Sequence, residues 1–173
     1  QPMATYLVLL VTGDYLFVND VGPGGVPLQS VVLRDDRDQL DAALEVTEQQ
    51  LAYFVELLGA YPLDRYGLAV TDSFGGLAME TQGRSLFSRD DLLGEFPDEE
   101  LLAHELAHQW FGDAVTLERW TDIWLNESFA TYASWMWTEH SGGESVAARA
   151  QAVLIGRPPG STASPTATTL FDY

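Results

Sequence analysis

Cysteine is absent from this sequence of 173 residues. Disulfide staples and thiolate metal sites are thereby excluded, so any bound metal has to be held by imidazoles and carboxylates. Positive charge is scarce as well. Eight basic residues stand against 26 acidic ones, a formal charge of −18 with a sequence pI near 4.1. Nucleic acids and anionic membrane surfaces select basic patches, so neither is an expected partner. Long apolar runs are also missing: the longest, Tyr6 to Val11, falls far short of the ~20 residues of a membrane span. No basic region precedes it, so it does not read as a signal peptide, and no integral membrane segment is expected. A soluble chain results, with compartment open between cytoplasm and exterior, since lack of cysteine is common on both sides.

What is present suits a globular domain, with 46% apolar and 20% charged residues. The length allows one domain with a real core or two small lobes around a cleft. Gln1-Pro2 leads directly into strand-like sequence, and the chain stops at Phe171-Asp172-Tyr173 without a closing element. It reads as a piece of a longer protein. The acidic excess ordinarily serves solubility, and it would also favour cationic ligands such as a free α-amino group or a divalent metal.

The first third has β character. Ala4–Val11 and Tyr15–Val18 flank Gly13-Asp14, a hairpin signal, and Gly22-Pro23-Gly24-Gly25 turns into a further strand over Val26–Leu33. Asp35, Asp36 and Asp38 open a helix that ends at Gly59 and Pro62. Gly67–Thr71 reads as a short strand, and Leu77–Thr81, after Gly75-Gly76, as an extended edge segment. From Pro97 the pattern turns helical. Asp98, Glu99 and Glu100 suit a helix start and Gly112 its C-terminal cap. Further helices are expected from about Leu125 to His140 and over Glu144–Ile155. The expected architecture is α+β, with a β-rich lobe over about 1–88, a helical lobe over about 89–157 and a Pro/Ser/Thr-rich tail over 158–173.

The chemistry concentrates on His104-Glu105-Leu106-Ala107-His108. Four residues apart on a helix, His104 and His108 leave the same face and can reach one ion at roughly 2.0–2.1 Å. Glu105 lies beside that face, placed to take a proton from a water and pass it to a leaving amine. Glu127 follows after eighteen intervening residues, near the start of the next expected helix. An antiparallel return would bring its carboxylate to the two imidazoles. Two His and one Glu with an open fourth position make a catalytic rather than a structural zinc site.

The stretch His104-Glu-Leu-Ala-His-Gln-Trp-Phe-Gly112, followed by Trp120-Thr-Asp-Ile-Trp-Leu-Asn-Glu-Ser-Phe-Ala-Thr-Tyr132, resembles the M1 family of zinc aminopeptidases, the gluzincin group. The resemblance implies a thermolysin-like catalytic domain, one zinc ion on His104, His108 and Glu127, and Glu105 as general base. It covers Tyr61 to Tyr132 with specific motifs. An aminopeptidase must also anchor the substrate's α-ammonium, and in this family a Gly-Ala-Met-Glu-Asn motif upstream of the zinc helix does so. Leu77-Ala78-Met79-Glu80-Thr81 matches it, which implies Glu80 as the anchor and Ala78 and Met79 as its substrate-binding neighbours. Leu for Gly and Thr for Asn are departures from the motif. The family's oxyanion-stabilising tyrosine lies further beyond the third ligand than this chain extends, so the isolated chain is expected to bind zinc yet turn over slowly.

The implied activity is hydrolysis of the N-terminal peptide bond of peptides with a free amino terminus. Two other readings use the same residues: a zinc endopeptidase or other hydrolase on this scaffold, and a metal-binding module whose groove only binds peptide. Trp110, Phe111, Trp124, Phe129, Tyr132, Trp135 and Trp137 are read as packing between the two metal-site helices. Asn126 and Asp122 are read as a brace or helix caps, and the Asp35–Asp38 and Asp90-Asp91 groups as solvated faces. Oligomeric state and side-chain preference are not written in the sequence.

Overall fold

The computed structural model of the chain describes residues 3–72 and 78–155. Its hairpin forms later than the sequence pattern implies. Strand β1 (Tyr15–Val21) pairs antiparallel with β2 (Pro27–Leu33) across Gly24 and Gly25, which have φ of 70° and 78°. Those left-handed conformations are the ones glycine adopts without a steric cost. The strand expected over Ala4–Val11 does not form. Residues Thr5–Leu7 make one 3-10 turn instead, and the segment pairs with no strand of the sheet. β-propensity without a paired neighbour does not make a strand.

After a 3-10 turn over Arg34–Gln39, helix α1 (Asp41–Leu58) crosses to β3 (Leu68–Thr71), which lies parallel to β2. The aspartates read as a helix start therefore sit in the turn before it. Asp36 is buried rather than solvated, its carboxylate held 2.7 Å from Arg89. Helix α1 ends at Gly59, whose φ of 96° reverses the chain. Strand β4 (Ser85–Ser88) adds parallel to β3, completing the order β1-β2-β3-β4. Four residues with serine at both ends carry too little pattern to reveal β4 in the sequence, yet every one of them is buried.

Met79 continues the sheet beyond β4. Its N–H donates to the Leu86 carbonyl at 2.9 Å and its carbonyl accepts from Leu86 N–H at 2.8 Å. That is the extended edge segment expected around Leu77–Thr81. Leu77 and the Gly75-Gly76 turn lie outside the described residues, as does the tail with Tyr173.

A short helix α2 (Arg89–Leu92) leads to α3 (Glu99–Ala107), capped by the Asp98 carboxylate, which accepts from Leu101 N–H at 2.9 Å. Helix α3 ends at Ala107, five residues before Gly112. Tighter i→i+3 bonds, Gln109 N–H to Leu106 and Trp110 N–H to Ala107, replace the α-helical ladder there. Gly112 serves the loop that follows: its φ is 130°, and a Cβ would lie 3.0 Å from Asn126 Nδ2. Helix α4 (Trp124–His140) returns against α3, and α5 (Val146–Ile155) follows.

The core lies between the sheet and helices α1 and α3, with Val32, Phe54, Tyr66, Leu68, Phe87, Leu102 and Leu106 at its centre. Each such side chain contributes about 1.5–3 kcal/mol by leaving water. Trp110 and Trp137 join this core as expected, whereas Trp124, Phe129 and Tyr132 are 41%, 47% and 50% exposed. These three lie on the part of α4 that α3 does not cover. Helix α4 also starts without the expected side-chain cap: its N-cap is Ile123. The architecture is α+β, a mixed sheet with helices, as read from the sequence. No helix among the described residues is long and apolar enough to cross a membrane.

Candidate metal centre

Helix α3 carries His104 and His108 on one face, with ring centroids 4.7 Å apart and planes at 79°. Helix α4 runs back past them and delivers Glu127 from its first turn. The three donor atoms form a compact triangle: His104 Nε2 to His108 Nε2 is 3.0 Å, and Glu127 Oε2 lies 3.4 Å and 3.6 Å from the two nitrogens. Ligands at about 2.0–2.2 Å around a tetrahedral ion stand roughly 3.4 Å from one another. The triangle's edges of 3.0, 3.4 and 3.6 Å lie close around that value. Among the described residues this is the single group of three or more such donors able to share an ion.

The tautomer is set from outside. His108 Nδ1–H donates to the Phe111 carbonyl at 3.0 Å, which directs Nε2 and its lone pair at the centre. That carbonyl is in reach because the chain tightens after Ala107 instead of continuing as helix. Glu105 is buried beside the triangle, and its Oε2 has no hydrogen-bond partner. An orphaned buried carboxylate oxygen is costly unless a ligand, water or proton meets it, so the site fits a metal together with a reactant.

Electrostatics follow from this crowding. Burial pushes the Glu105 carboxyl up to about 8, with His108 opposing and Glu80, Glu127 and Asp113 adding to the rise. Burial alone would depress His108; the Glu127 hydrogen bond and the charges of Glu105, Glu127 and Glu80 outweigh it and raise the imidazole to about 9. Glu127 moves the other way: its bonds to His104 and His108 overcome burial and hold it well below the usual carboxylate range. Without a metal, His108 thus holds a proton that an ion would replace, while Glu127 is already ionised.

A cavity of about 530 Å³ opens over the triangle, lined by His104, Glu105, His108 and Glu127 and, from the sheet edge, by Ala78, Met79 and Glu80. The structure therefore brings all seven residues singled out in the sequence to one cavity. Tyr6, Trp120 and Ile123 complete its wall. Tyr6 donates its hydroxyl to Glu80 Oε1 at 3.2 Å and packs edge-on against Trp120, centroids 5.3 Å apart. Trp120 and Ile123 belong to the stretch already quoted around Glu127, whereas no local pattern marks Tyr6, which reaches the cavity only through long-range folding. Asp113 is another unannounced neighbour: buried, with neither carboxylate oxygen partnered, it is raised to about 8 by burial and by Glu80.

Residues behind the cavity fix its parts to one another. Ser85 Oγ donates to the Glu105 carbonyl at 3.3 Å and shares a 3.1 Å hydrogen bond with Tyr66. Gln109 Oε1 accepts from Gly83 N–H at 2.7 Å and from the Tyr61 hydroxyl at 3.4 Å. The turn after Glu80 is thereby tied to the residue next to His108.

Comparison with known proteins places this geometry. Residues 42–158 match the model of the Peptidase family M1 domain. The chain is 34% identical to glutamyl aminopeptidase of Bos taurus over 146 residues, which are 78% of this chain and 15% of that protein. It is 35% identical to aminopeptidase M1 of Arabidopsis thaliana over 147 residues, 79% of this chain and 17% of that one. The crystal structure of an M1 zinc metallopeptidase from Deinococcus radiodurans superposes with a TM-score of 0.68 at 32% identity, over 84% of this chain and 34% of the other. The chain thus spans about one-sixth of the length of these curated relatives.

Proposed function

The chain belongs to peptidase family M1, and from that premise we propose that it forms the metal-binding part of a zinc aminopeptidase catalytic domain. His104, His108 and Glu127 hold the ion. Bound zinc supplies Lewis acidity and lowers the pKa of water toward about 7. Glu105 takes the proton of the attacking water and returns it to the leaving amine. Glu80 holds the substrate's free α-ammonium by a charge-assisted hydrogen bond, with Ala78 and Met79 supporting it from the sheet edge. A carboxylate on a paired segment is a rigid anchor, and the ladder between Met79 and Leu86 supplies that rigidity.

The observation that carries this reading is the meeting of the His104, His108 and Glu127 triangle with the unpartnered Glu105 oxygen, in a cavity that Glu80 also lines. A metal held only for structure has no use for an orphaned base, and an endopeptidase has no need of a carboxylate to bind a free α-ammonium.

The test is hydrolysis of amino-acid arylamides by the zinc-loaded, full-length protein. Free-amine substrates are expected to turn over and N-acetylated ones to be rejected. Glu105→Gln should retain zinc and lose at least about a hundred-fold in kcat, the usual scale for losing a general base. Equal turnover of blocked and free substrates would refute the anchor, and a fully active Glu105→Gln would refute the base.

A further inference from the structure

All eight basic residues of the chain are arginines. Seven lie among the described residues, and five of them, Arg34, Arg37, Arg89, Arg119 and Arg149, each hold a carboxylate. Arg65 and Arg84 make no ion pair among the described residues, in a chain with 26 acidic side chains. They stand side by side. Arg84 Nη2 donates to Gln29 Oε1 at 2.5 Å and its Nε to the Gln29 carbonyl at 3.1 Å, while Arg65 Nη1 reaches the same Oε1 at 3.4 Å. Two guanidinium groups sharing one neutral acceptor repel each other. Burial and the Arg65 charge accordingly depress Arg84 below its ordinary value.

Both arginines border a cavity of about 280 Å³ completed by Leu63, Asp64, Gln82 and Gly83. The Gln82 side-chain oxygen is buried without a hydrogen-bond partner among the described residues. The cavity shares no residue with the one over the histidines. A guanidinium offers five donors in a planar fork suited to oxyanions, and the bonds to Gln29 use only part of that capacity.

We propose that this cavity binds a small tetrahedral oxyanion of the phosphate type between Arg65 and Arg84. The two positive charges exceed the one negative charge of exposed Asp64, so a doubly charged anion is favoured over a carboxylate. The anion would sit on the turn that follows Glu80, a turn already pinned to Gln109 through Gly83 N–H. The assignment does not depend on the peptidase reading and stands or falls separately from it.

The experiment titrates inorganic phosphate into metal-free protein at constant ionic strength in chloride, following phosphorus-31 line width, with acetate measured by calorimetry in parallel. Removing the metal keeps phosphate from binding there. The expected result is saturable phosphate binding, tighter than acetate, and weakened at least about ten-fold in Arg84→Met and in Arg65→Met, the scale of losing a charge-assisted bond. Arg65 is exposed and its replacement leaves the core untouched, so that variant decides the matter if Arg84→Met does not fold. Absence of saturable binding, equal binding by wild type and Arg65→Met, or acetate binding as tightly as phosphate would each overturn the proposal.

Discussion

Replacing Gly67 by alanine should destabilise the chain through crowding alone. Gly67 lies between Tyr66 and β3 with an ordinary φ, so alanine meets no conformational penalty there. A Cβ at this position would stand 2.0 Å from the Gln29 carbonyl oxygen, 2.4 Å from its carbon and 3.0 Å from Ser30 N. All three are backbone atoms and cannot swing aside as a side chain can. Relief requires the two segments to part by more than about 1 Å, since carbon and oxygen rarely approach closer than ~3.4 Å. Three bonds span this contact: Gln29 N–H to Tyr66 at 2.7 Å, Tyr66 N–H to Pro27 at 3.0 Å, and Leu68 N–H to Ser30 Oγ at 3.0 Å. Losing two or three of them costs about 2–9 kcal/mol, at roughly 1–3 kcal/mol for each bond broken. That is a large share of the ~5–15 kcal/mol of a typical domain. The damage should also reach the metal centre, because the Gly67 carbonyl accepts from Ser85 N–H at 3.1 Å and Ser85 Oγ holds the Glu105 carbonyl. Urea denaturation of metal-free protein measures the loss. Gly25→Ala is the control, since its φ is 78° with nothing within 4 Å of a Cβ, and it should cost only about 1–2 kcal/mol of backbone strain. If Gly67→Ala unfolds within about 1 kcal/mol of wild type, or no earlier than Gly25→Ala, the crowding argument is wrong.

Three further outcomes are expected. Metal-free protein should lose stability as pH rises from about 6 to 9. His108, raised from 6.5 to about 9, contributes stability that is present below its unfolded value and lost as pH passes its folded one. Glu105, raised to about 8, is buried at least cost while protonated and loses ground as it ionises. Glu127 is depressed, so its contribution is constant across this window and falls only in acid. Zinc uptake should accordingly release protons and tighten with pH, which calorimetry in buffers of different ionisation enthalpy would show; a buffer-independent heat and pH-independent affinity would contradict it. Separately, Gln109→Leu strands the buried Gly83 N–H and should cost about 1–3 kcal/mol in a thermal melt. Because it loosens the turn behind Glu80, it should also raise KM for free-amine substrates more than it lowers kcat; an unchanged KM would show that the turn does not position the anchor.

The sequence by itself determined whatever depends on spacing along one element. His104 and His108 face one point because four residues is one helical turn, and the Asp98 cap and the acidic first turn mark where that helix begins. Glu127 was legible from its distance along the chain, since a loop and an antiparallel helix return it to the pair. The Ala78-Met79-Glu80 segment was legible by resemblance and by its extended character. What depends on pairing between distant segments had no such signature. Residues 4–11 have strand propensity but no partner, so they pass beside the cavity and put Tyr6 on Glu80. Buried β4 is too short to show a pattern, and Asp36 left solvent only because Arg89, from a different element, came to meet it. The aromatics of α4 divide between core and surface according to which side α3 covers, which periodicity alone could not say. Charge follows the same division. Composition gave the acidic excess, but the tertiary structure raised Glu105 and Asp113 above the usual carboxylate range in the metal-free chain, because burial and neighbouring charges, not residue type, set their acidity. It also left Arg65 and Arg84 together on Gln29, 36 and 55 residues along the chain, as a pair without a carboxylate among the described residues.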